Sequence, residues 1–347
     1  MRPTTRWALW LVLYLLTLPG LSGAASLVVS VLDVKQGDSI LAQFPNGQNM
    51  LVDAGDQAHG QTVVNYLRAH KVKRIDILVA SHPHADHIGG MTAVFAAFPV
   101  GKVWDSGFNQ GSRTQEEFLQ TIKEKHLQFG QPRSGFTQDV GDVRIEVLAP
   151  GKALLKGTDS DANNNSLVLR LVYGQTSVLL PGDMEEAERA LVKDWPNTTV
   201  LKVAHHGSRN GTDLAFVRAV SPKIAVISFE EGNEYGHPHK EALAALRTVA
   251  ATIYATGTQG TIVVSCDGKR ATVTALGRSK SNATGGNSGV NSAADTASRC
   301  AYIGNKNTHI YHLPTAKHLP KPKNRICFAS RAQAKRAGYR PCKLCFR

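Results

Sequence analysis

The feature that most constrains this chain is a run of histidines and aspartate that begins where a strongly apolar segment ends. The apolar segment is "IDILVA" (75–80), and "SHPHADHIGG" (81–90) follows it directly. An apolar run of this length is typical of a strand that is buried on both faces. Polar side chains at the end of such a strand are costly to bury unless they are paired or bind an ion. The pattern therefore predicts a metal site at the end of a buried strand.

Three other strand-like segments end in residues of the same kind. Asp53 lies in "LVDAGD", Asp183 closes "LLPGD", and His205 and His206 lie in "VAHHGS". The first part of the chain contains paired strands, and strands then alternate with helical segments, twice over. This order predicts an α/β protein in which two packed sheets are covered by helices on both sides, an αββα sandwich.

Local patterns give more specific expectations for several segments. "KQGD" (35–38) predicts a hairpin between the first two strands, and Asp267-Gly268 predicts the turn of another hairpin at the end of this part of the chain. The spacing of apolar residues predicts helices that include 61–70 and 185–194.

The histidine run has the spacing of a two-ion site. His82 and His84 are two positions apart and can bind one ion, while Asp86 and His87 face a second ion. A hydroxide held by two cations is a strong nucleophile at neutral pH, and the same cations neutralise an attacked phosphodiester. The residues therefore predict a dinuclear hydrolytic centre.

These motifs resemble those of metallo-β-lactamase-fold hydrolases, and more narrowly those of the soluble, DNase-like domain of ComEC-type competence proteins. The shared motifs are "VKQGDSIL", "NNSLVLRL", "HHGS" and "NEYGHP". The resemblance implies a hydrolase domain of this fold over residues 25–276. The membrane-channel portion of ComEC-type proteins has no counterpart here, so the resemblance implies a free-standing relative of their soluble domain.

The resemblance also implies a set of metal ligands. They are His82 and His84 for the first ion, Asp86 and His87 for the second, and Asp183 as the bridge between them. The last ligand is a histidine of "HHGS", and His206 is preferred to His205 because it directly precedes the glycine. Asp53 is expected to accept a hydrogen bond from a ligand imidazole and to fix its orientation.

One position departs from the general pattern of this fold, which supplies a third histidine to the first ion. Between the histidine run and the Gly-Asp strand, the chain has only His126, in a segment expected to be a solvent-facing helix. "DANNNSL" (161–167) occupies the expected place, so Asn164, Asn165 or Ser166 is a candidate oxygen ligand. Oxygen ligands favour Mn²⁺ or Mg²⁺ as rivals of Zn²⁺.

Four further residues in family-like motifs are candidates for contact with a phosphate or for protonation of the leaving group. They are Lys202, Ser208, Asn233 and His237, of which Lys202 and His237 join Asp86 and Asp183 as candidate catalytic residues. Each also has a purely structural alternative, for example Lys202 as a surface residue at a strand end.

The N-terminal residues predict export. Arginines precede the uncharged run "WALWLVLYLLTL" (7–18), and a Pro-Gly break and small residues follow. This layout is typical of a signal peptide, here over residues 1–24, with cleavage after Ala24 or Ala25. An uncleaved membrane anchor is the alternative, but the apolar run is short of the ~20 residues that a spanning helix needs. The expected location is periplasmic or extracellular.

The positive charge of the chain is concentrated in its last fifth. The formal net charge is +13, and residues 277–347 contain 14 Lys and Arg and one acid, whereas residues 1–276 are neutral overall. A Ser-, Asn- and Gly-rich stretch predicts a flexible linker over 277–299. The rest predicts a basic module over 300–347 that binds DNA through its backbone, without sequence specificity.

The basic module ends in Cys342-x-x-Cys345 and resembles the zinc-binding domain of Ada-type DNA-repair proteins. The similar segments include "YIGNKN" and "AGYRPCK-C". The resemblance implies a zinc site whose first upstream ligand is His312. Alanine occupies the second position, 316, and His318, Cys300 or Cys327 is a candidate substitute. A disulfide within the closing CxxC is the alternative in an oxidising compartment.

Together the residues favour an exported metal-dependent phosphodiesterase, with DNA as the substrate and the basic module as a tether. Two alternatives stay open at the level of sequence. One is a metallo-hydrolase of a small ester or lactone, because one fold hosts many chemistries. The other is a DNA-binding protein without catalysis.

Overall fold

A computed structural model describes residues 26–277 and, in the C-terminal part, 302–306, 308–314, 316, 319–321, 324–328 and 331–342. Its first sheet has eight strands in the order β15-β14-β1-β2-β3-β4-β5-β6. Their bounds are β1 Leu27–Val31, β2 Ile40–Gln43, β3 Asn49–Val52, β4 Ile75–Ala80, β5 Val100–Asp105, β6 Gln128–Gly130, β14 Ile262–Cys266 and β15 Ala271–Ala275.

A second sheet of seven strands follows the order β13-β12-β11-β10-β9-β8-β7. Its strands are β7 Thr137–Val140, β8 Val143–Ala149, β9 Val168–Tyr173, β10 Thr176–Leu180, β11 Val200–Lys202, β12 Ile224–Ile227 and β13 Thr252–Ala255. In each sheet four neighbouring strands at one end run parallel, namely β3 to β6 in the first sheet and β10 to β13 in the second.

Helices cover the outer faces of both sheets. They are α1 Gly60–Ala69, α2 Ala85–Ile88, α3 Met91–Ala97, α4 Arg113–Glu124, α5 Glu186–Arg189, α6 Leu214–Val220, α7 Lys240–Thr248 and α8 Thr256–Gln259. One apolar cluster lies between the sheets, a second joins the first sheet to α1, α3 and α4, and a third joins the second sheet to α6 and α7. The predicted αββα sandwich is confirmed.

Strand β4 shows why the apolar run before the histidines is uninterrupted. Ile77 and Val79 face the second sheet, whereas Leu78 and Ala80 face the helices. Successive side chains of a strand point to opposite faces, so a strand covered on both sides needs apolar residues at every position. The buried strand fixes the place at which the polar run begins.

Two local predictions differ from the structure. The helix predicted over 185–194 is shorter, because it ends at Arg189, whose carbonyl accepts a hydrogen bond from the indole N–H of Trp195. The strands β1 and β2 do pair, but the connection between them is a loop of residues 32–39 rather than a tight turn at "KQGD". Its backbone folds inward against the loop that carries the histidines.

The C-terminal part forms a small four-stranded sheet in the order β18-β16-β17-β19. Its elements are β16 Tyr302–Asn305, β17 Ile310–His312, β18 Arg325–Phe328, α9 Arg331–Arg336 and β19 Arg340–Pro341. Tyr311, Phe328 and Tyr339 pack with Ala334 as its core. In the part of the chain that the structure describes, no helix has the length and apolar content to span a bilayer.

Gly37 makes the closest approach between the β1–β2 loop and the histidine loop. Its φ is +117°, and a Cβ at this position would lie 2.1 Å from the carbonyl oxygen of Asp86. Gly47, in the next turn, has a φ of +86° and open space around it. A substitution at Gly47 therefore adds backbone strain without a steric clash and is the matched control. We expect Gly37→Ala to lower the free energy of unfolding by roughly 3 kcal/mol or more, and Gly47→Ala by roughly 1 kcal/mol. Urea unfolding of both variants measures this, and equal losses would contradict it.

Candidate metal centre

The predicted ligands meet at one edge of the sandwich. Asp53 follows β3, His82 follows β4, Asp183 follows β10 and His206 follows β11. The carboxyl ends of parallel strands lie at the same edge of a sheet, and ligand sites in open α/β sheets form there. The packing of the two sheets brings the two edges together, so the site takes residues from both.

Asp183 is the centre of the group. Its Oδ2 lies 3.3 Å from the Nε2 of His87, 3.4 Å from that of His206, 3.7 Å from that of His205 and 3.8 Å from that of His82. No other described carboxylate is this close to four imidazoles. The carboxylate that the sequence assigns as a bridge therefore lies between the histidines of both sheets.

Asp86 extends the group on the side of the second predicted ion. Its Oδ2 lies 3.9 Å from the Nε2 of His87 and 3.7 Å from that of His206. Ligand atoms of His82, His87 and Asp183 lie within 4.8 Å of one another, and so do those of Asp86, His87 and His206. Two overlapping sets of three ligands are thus present.

Unpartnered atoms show that these residues fit metal ions. The Nε2 atoms of His87 and His206 and the Oδ1 of Asp183 are buried without a hydrogen-bond partner. A buried polar atom without a partner costs free energy. Imidazole nitrogen and carboxylate oxygen are ligands of Zn²⁺ and, for the oxygens, of harder ions. A divalent ion would satisfy these atoms together.

His84 lies beside His82, but among the described residues it belongs to no group of three converging ligand atoms, so its role as a ligand stays a prediction. Its Nδ1 is 3.0 Å from the Nε2 of His82. His84 is the residue that precedes α2, and its extended backbone turns the chain from β4 into the helix that carries Asp86 and His87. All four residues of the run therefore come from one strand end and one helical turn.

Asp53 orients His87. One carboxylate oxygen of Asp53 lies 2.8 Å from the Nδ1 of His87, and Ser81 donates to both oxygens, from its backbone N–H at 2.8 Å and from its hydroxyl at 2.6 Å. A carboxylate on the far nitrogen fixes the tautomer of a ligand histidine and points its Nε2 at the ion. This geometry supports the role expected for Asp53.

The two histidines of "HHGS" differ in their surroundings. Both have left-handed backbone, with φ of 47° at His205 and 54° at His206, and Gly207 follows at 81°. His206 is buried and places its Nδ1 3.1 Å from the carbonyl of Ser228. His205 is more exposed and places its Nδ1 3.0 Å from Glu185. Only His206 belongs to a group of converging ligand atoms, which favours it as the ligand.

The "DANNNSL" segment supplies fewer free oxygens than the sequence suggests. The amide oxygen of Asn164 accepts from the N–H of Glu188, and that of Asn165 accepts from the N–H of Leu155. Each of these oxygens already accepts a hydrogen bond from the backbone, and Asn165 positions its own loop. The hydroxyl of Ser166 is buried without a hydrogen-bond partner and is the candidate that is left of the three.

Lys202 corrects a prediction, and Asp38 is a residue that sequence reasoning missed. Lys202 is 1 % exposed and forms an ion pair with Asp38, which is also 1 % exposed. Full burial excludes Lys202 both as a surface residue and as a phosphate contact. Asp38 also lies 3.6 Å from the Nδ1 of His206. The only signal for Asp38 was the Gln-Gly-Asp motif, which the local pattern explained as a turn.

Three other candidates are near the site but differ in role. Ser208 is buried, and its hydroxyl accepts from the N–H of Asn210. Asn233 bonds the backbone of its own loop, including both the N–H and the carbonyl of His237. Both are therefore positioning residues.

His237 does line the site, but burial and the neighbouring His205 lower the pKa of its imidazole to about 3. Such a low pKa favours the neutral imidazole at pH 7, and the role of His237 as a proton donor stays a prediction.

The site carries an excess of negative charge. Four carboxylates, of Asp38, Asp53, Asp86 and Asp183, face one ammonium group, that of Lys202. Burial would raise the pKa of Asp183, but His206 and His87 hold it well below its usual value. When the imidazoles are neutral, as they are in metal ligands, about three negative charges are left, which bound divalent ions would neutralise.

An open cavity of about 300 Å³ leads to these residues. Its lining comprises Gln36, His84, Ala85, Asp86, Asp183, His205, His206, Tyr235 and His237. Asp183 and His206 lie at its base, where they are 2 % and 1 % exposed. A small acidic or phosphorylated group can enter, whereas a folded domain cannot.

In the C-terminal sheet, the predicted ligands His312 and Cys342 lie on neighbouring strands. Tyr311 pairs with Pro341, and the N–H of Cys342 donates to the carbonyl of Tyr311. Both predicted ligands are mostly buried. Cys327 is disulfide-bonded, which removes its sulfur as a metal ligand. Residues 300, 318 and 345 lie outside the described residues.

The sandwich and its strand-end ligands define a metal-binding protein of the αββα class. The chain belongs to the metallo-beta-lactamase superfamily, whose family model matches residues 32–230. Proteins with this fold are generally metal-dependent hydrolases. Residues 290–347 match the model of the metal binding domain of Ada. Both family resemblances drawn from the sequence are confirmed.

Curated relatives include proteins named for competence. ComE operon protein 3 of Bacillus subtilis is 31% identical over 255 residues, which cover 67% of this chain and 32% of that protein. Competence protein ComA of Neisseria gonorrhoeae is 34% identical over 215 residues, which cover 60% of this chain and 28% of that protein. The chain thus spans about a third of the length of these relatives.

Among solved structures, the metallo-beta-lactamase fold protein YhfI of Bacillus subtilis is 14% identical, with a TM-score of 0.49 over 69% of this chain and 99% of that one.

The two histidines of "HHGS" give a direct test of the ligand set. We expect His206→Ala to hold about one metal ion per chain fewer than the wild type, and His205→Ala to hold the same number as the wild type. Only the Nε2 of His206 lies close to the carboxylates of both Asp86 and Asp183. Inductively coupled plasma mass spectrometry of the folded, reconstituted variants counts the ions. Loss of metal from His205→Ala alone would reverse the assignment.

Metal binding should also release protons. Burial alone would lower the pKa of His206, but Asp183 and Asp38 outweigh it and raise that pKa to about 9. The metal-free imidazole is therefore protonated at pH 7.5, and an ion must displace that proton. We expect the release of about one to two protons and an affinity that rises between pH 6 and 9. Calorimetric titration with Zn²⁺ in buffers of different ionisation enthalpy measures the release, and a buffer-independent enthalpy would contradict it.

Proposed function

We propose that this chain is a metal-dependent phosphodiesterase that cleaves DNA. The observation that carries the proposal is the position of Asp183, which lies between two sets of ligands at the base of an open cavity. A site that only stabilised the fold would have its ligands closed around the ion. Here the cavity leaves the ligands Asp86 and Asp183 accessible to a substrate.

The ligands set the chemistry that the site supports. When bound, two divalent ions supply an activated water and neutralise the charge of a phosphodiester. Asp53 and the carbonyl of Ser228 contact the Nδ1 atoms of His87 and His206, which leaves their Nε2 atoms for an ion at the cavity base. A set of ligands that combines imidazole nitrogens with carboxylate oxygens is compatible with Zn²⁺ or Mn²⁺.

The basic module supports DNA as the substrate. The C-terminal 71 residues carry the whole excess of positive charge, and Lys335 and Arg340 are exposed on its surface. Exposed cations bind the DNA backbone regardless of sequence. We infer that the module holds DNA near the cavity and raises its local concentration.

The N-terminal residues and the relatives bear on location. Residues 1–24 lie outside the described residues, and their pattern supports export to the periplasm or the exterior. The relatives named for competence are consistent with a role at the cell envelope. We propose that the chain meets DNA outside the cytoplasm.

A small ester or lactone is the second candidate substrate. The cavity of about 300 Å³ is at the small end of ligand pockets, and residues 1–276 have no net charge to attract a polyanion. This candidate gives the basic module no role in catalysis, which is why we favour DNA.

Cleavage of DNA is tested with the full chain, stripped of metal and given Mn²⁺, Mg²⁺ or Zn²⁺. We expect cleavage with at least one of these ions. Asp183→Ala and His84→Ala should reduce it at least about a hundredfold, since they remove ligands at the cavity. His126→Asn is the matched control, because His126 is exposed and outside the cluster.

Linear and circular DNA are compared in the same assay. Cleavage of both shows an endonuclease, whereas cleavage of linear DNA alone shows that an end is required. If a folded, metal-loaded protein leaves both intact with every ion but hydrolyses a small ester, the second candidate is correct.

A further inference from the structure

Tyr235 is an aromatic residue in an unusual place. It lies in the loop between β12 and α7, and 59 % of the residue is exposed. It is also part of the lining of the cavity that contains Asp86 and Asp183. An aromatic ring in this position is typical of a binding site. Its exposed apolar surface does not stabilise the fold, but it can contact a ligand.

The ring of Tyr235 continues a row of rings toward the metal ligands. It stacks on the imidazole of His237, with ring centres 5.6 Å apart and an angle of 24°. His237 in turn lies 5.4 Å from the ring of His205. One face of the Tyr235 ring thus packs against His237, and the exposed part of the ring can contact a ligand.

The loop holds Tyr235 in place before any ligand binds. The side-chain oxygen of Asn233 accepts from the N–H groups of Tyr235 and His237, and its amide group donates to the carbonyls of Glu230 and His237. Four hydrogen bonds from one side chain fix the course of the loop. Binding to a fixed ring avoids part of the entropy that a flexible residue would lose.

The basic module lies next to the same loop. Glu234 is 3.8 Å from Arg331 and 3.7 Å from Lys335, both on α9. These ion pairs place α9 beside the loop of Tyr235, so DNA bound through its phosphates by other exposed cations of the module, such as Arg340, would pass near Tyr235. Phosphate contacts position a nucleic acid, whereas an uncharged ring contributes by stacking on bases.

We propose that Tyr235 stacks on the base of an unpaired nucleotide and so directs its phosphodiester to the metal ligands. This inference rests on the proposed function and narrows it to single-stranded DNA or the frayed end of a duplex. Inside a duplex both faces of a base already stack on neighbours, so the base is not available to a protein ring. The size of the cavity, about 300 Å³, also favours one nucleotide over a base pair.

The kinetic test uses Tyr235→Ala and Tyr235→Phe on two single-stranded oligonucleotides, one normal and one without bases. For the normal strand we expect Tyr235→Ala to raise KM about 5- to 100-fold, which corresponds to the loss of one stacked base, and Tyr235→Phe to stay within about twofold. For the abasic strand we expect no change, because there is no base to lose. Phe129→Ala is the matched control, since Phe129 is 41 % exposed and does not line the cavity.

A second readout does not depend on turnover. A short single strand that contains 2-aminopurine and slowly cleaved phosphorothioate linkages, which keep the negative charge of the backbone, is titrated onto the metal-loaded protein. Stacking quenches 2-aminopurine fluorescence, so we expect quenching with the wild type and Tyr235→Phe, and its loss with Tyr235→Ala.

The outcomes separate this inference from the proposed function. If the wild type cleaves the normal strand and Tyr235→Ala leaves KM and quenching unchanged, or weakens normal and abasic strands equally, the stacking role is wrong. If the wild type cleaves neither strand but quenches 2-aminopurine in a Tyr235-dependent way, base stacking is supported and the nuclease function is wrong. Cleavage of blunt duplex as efficient as that of single strands would overturn the restriction to unpaired DNA.

Discussion

The rest of the structure depends on the contact between the carboxylate of Asp183 and the imidazoles of the opposite sheet. Asp183 and His206 come from the second sheet, whereas His82 and His87 come from the first. The Oδ2 of Asp183 lies 3.3–3.8 Å from the Nε2 atoms of these three histidines. Neither sheet alone has a complete set of ligands. The apolar layer between the sheets therefore has a functional consequence, because it sets the distance across which the ligands meet.

Such a concentration of charge needs support from outside the ligand set. The ion pair of Asp38 and Lys202 also joins the two sheets and places a permanent positive charge behind His206. The left-handed backbone at His205 and His206 is a further cost that the fold has to offset. Strain and buried charge at one edge, with ordinary packing elsewhere, are typical of a site selected for activity rather than for stability.

The two parts of the chain divide the work of binding. The sandwich has a narrow, acidic site that needs cations to accept an anion, and the C-terminal module has the cations that attract a polyanion from a distance. The loop that carries Glu234 and Tyr235 contacts the C-terminal module through the ion pairs of Glu234 with Arg331 and Lys335. Substrate choice would then come from this loop, while the metal ligands supply a chemistry common to many substrates.

The sequence by itself determined the fold class and most of the residues that meet at the candidate metal centre, because these follow from local patterns. The buried strand β4, the short run of His82, His84, Asp86 and His87 directly after it, and the strand-end position of Asp183 are all visible in short segments. Only the tertiary structure decided the rest. Lys202 is charged and at a strand end, so it resembles a surface residue until the other sheet supplies Asp38 as its partner. The burial of a charge depends on residues far away in the chain, and no local pattern records them.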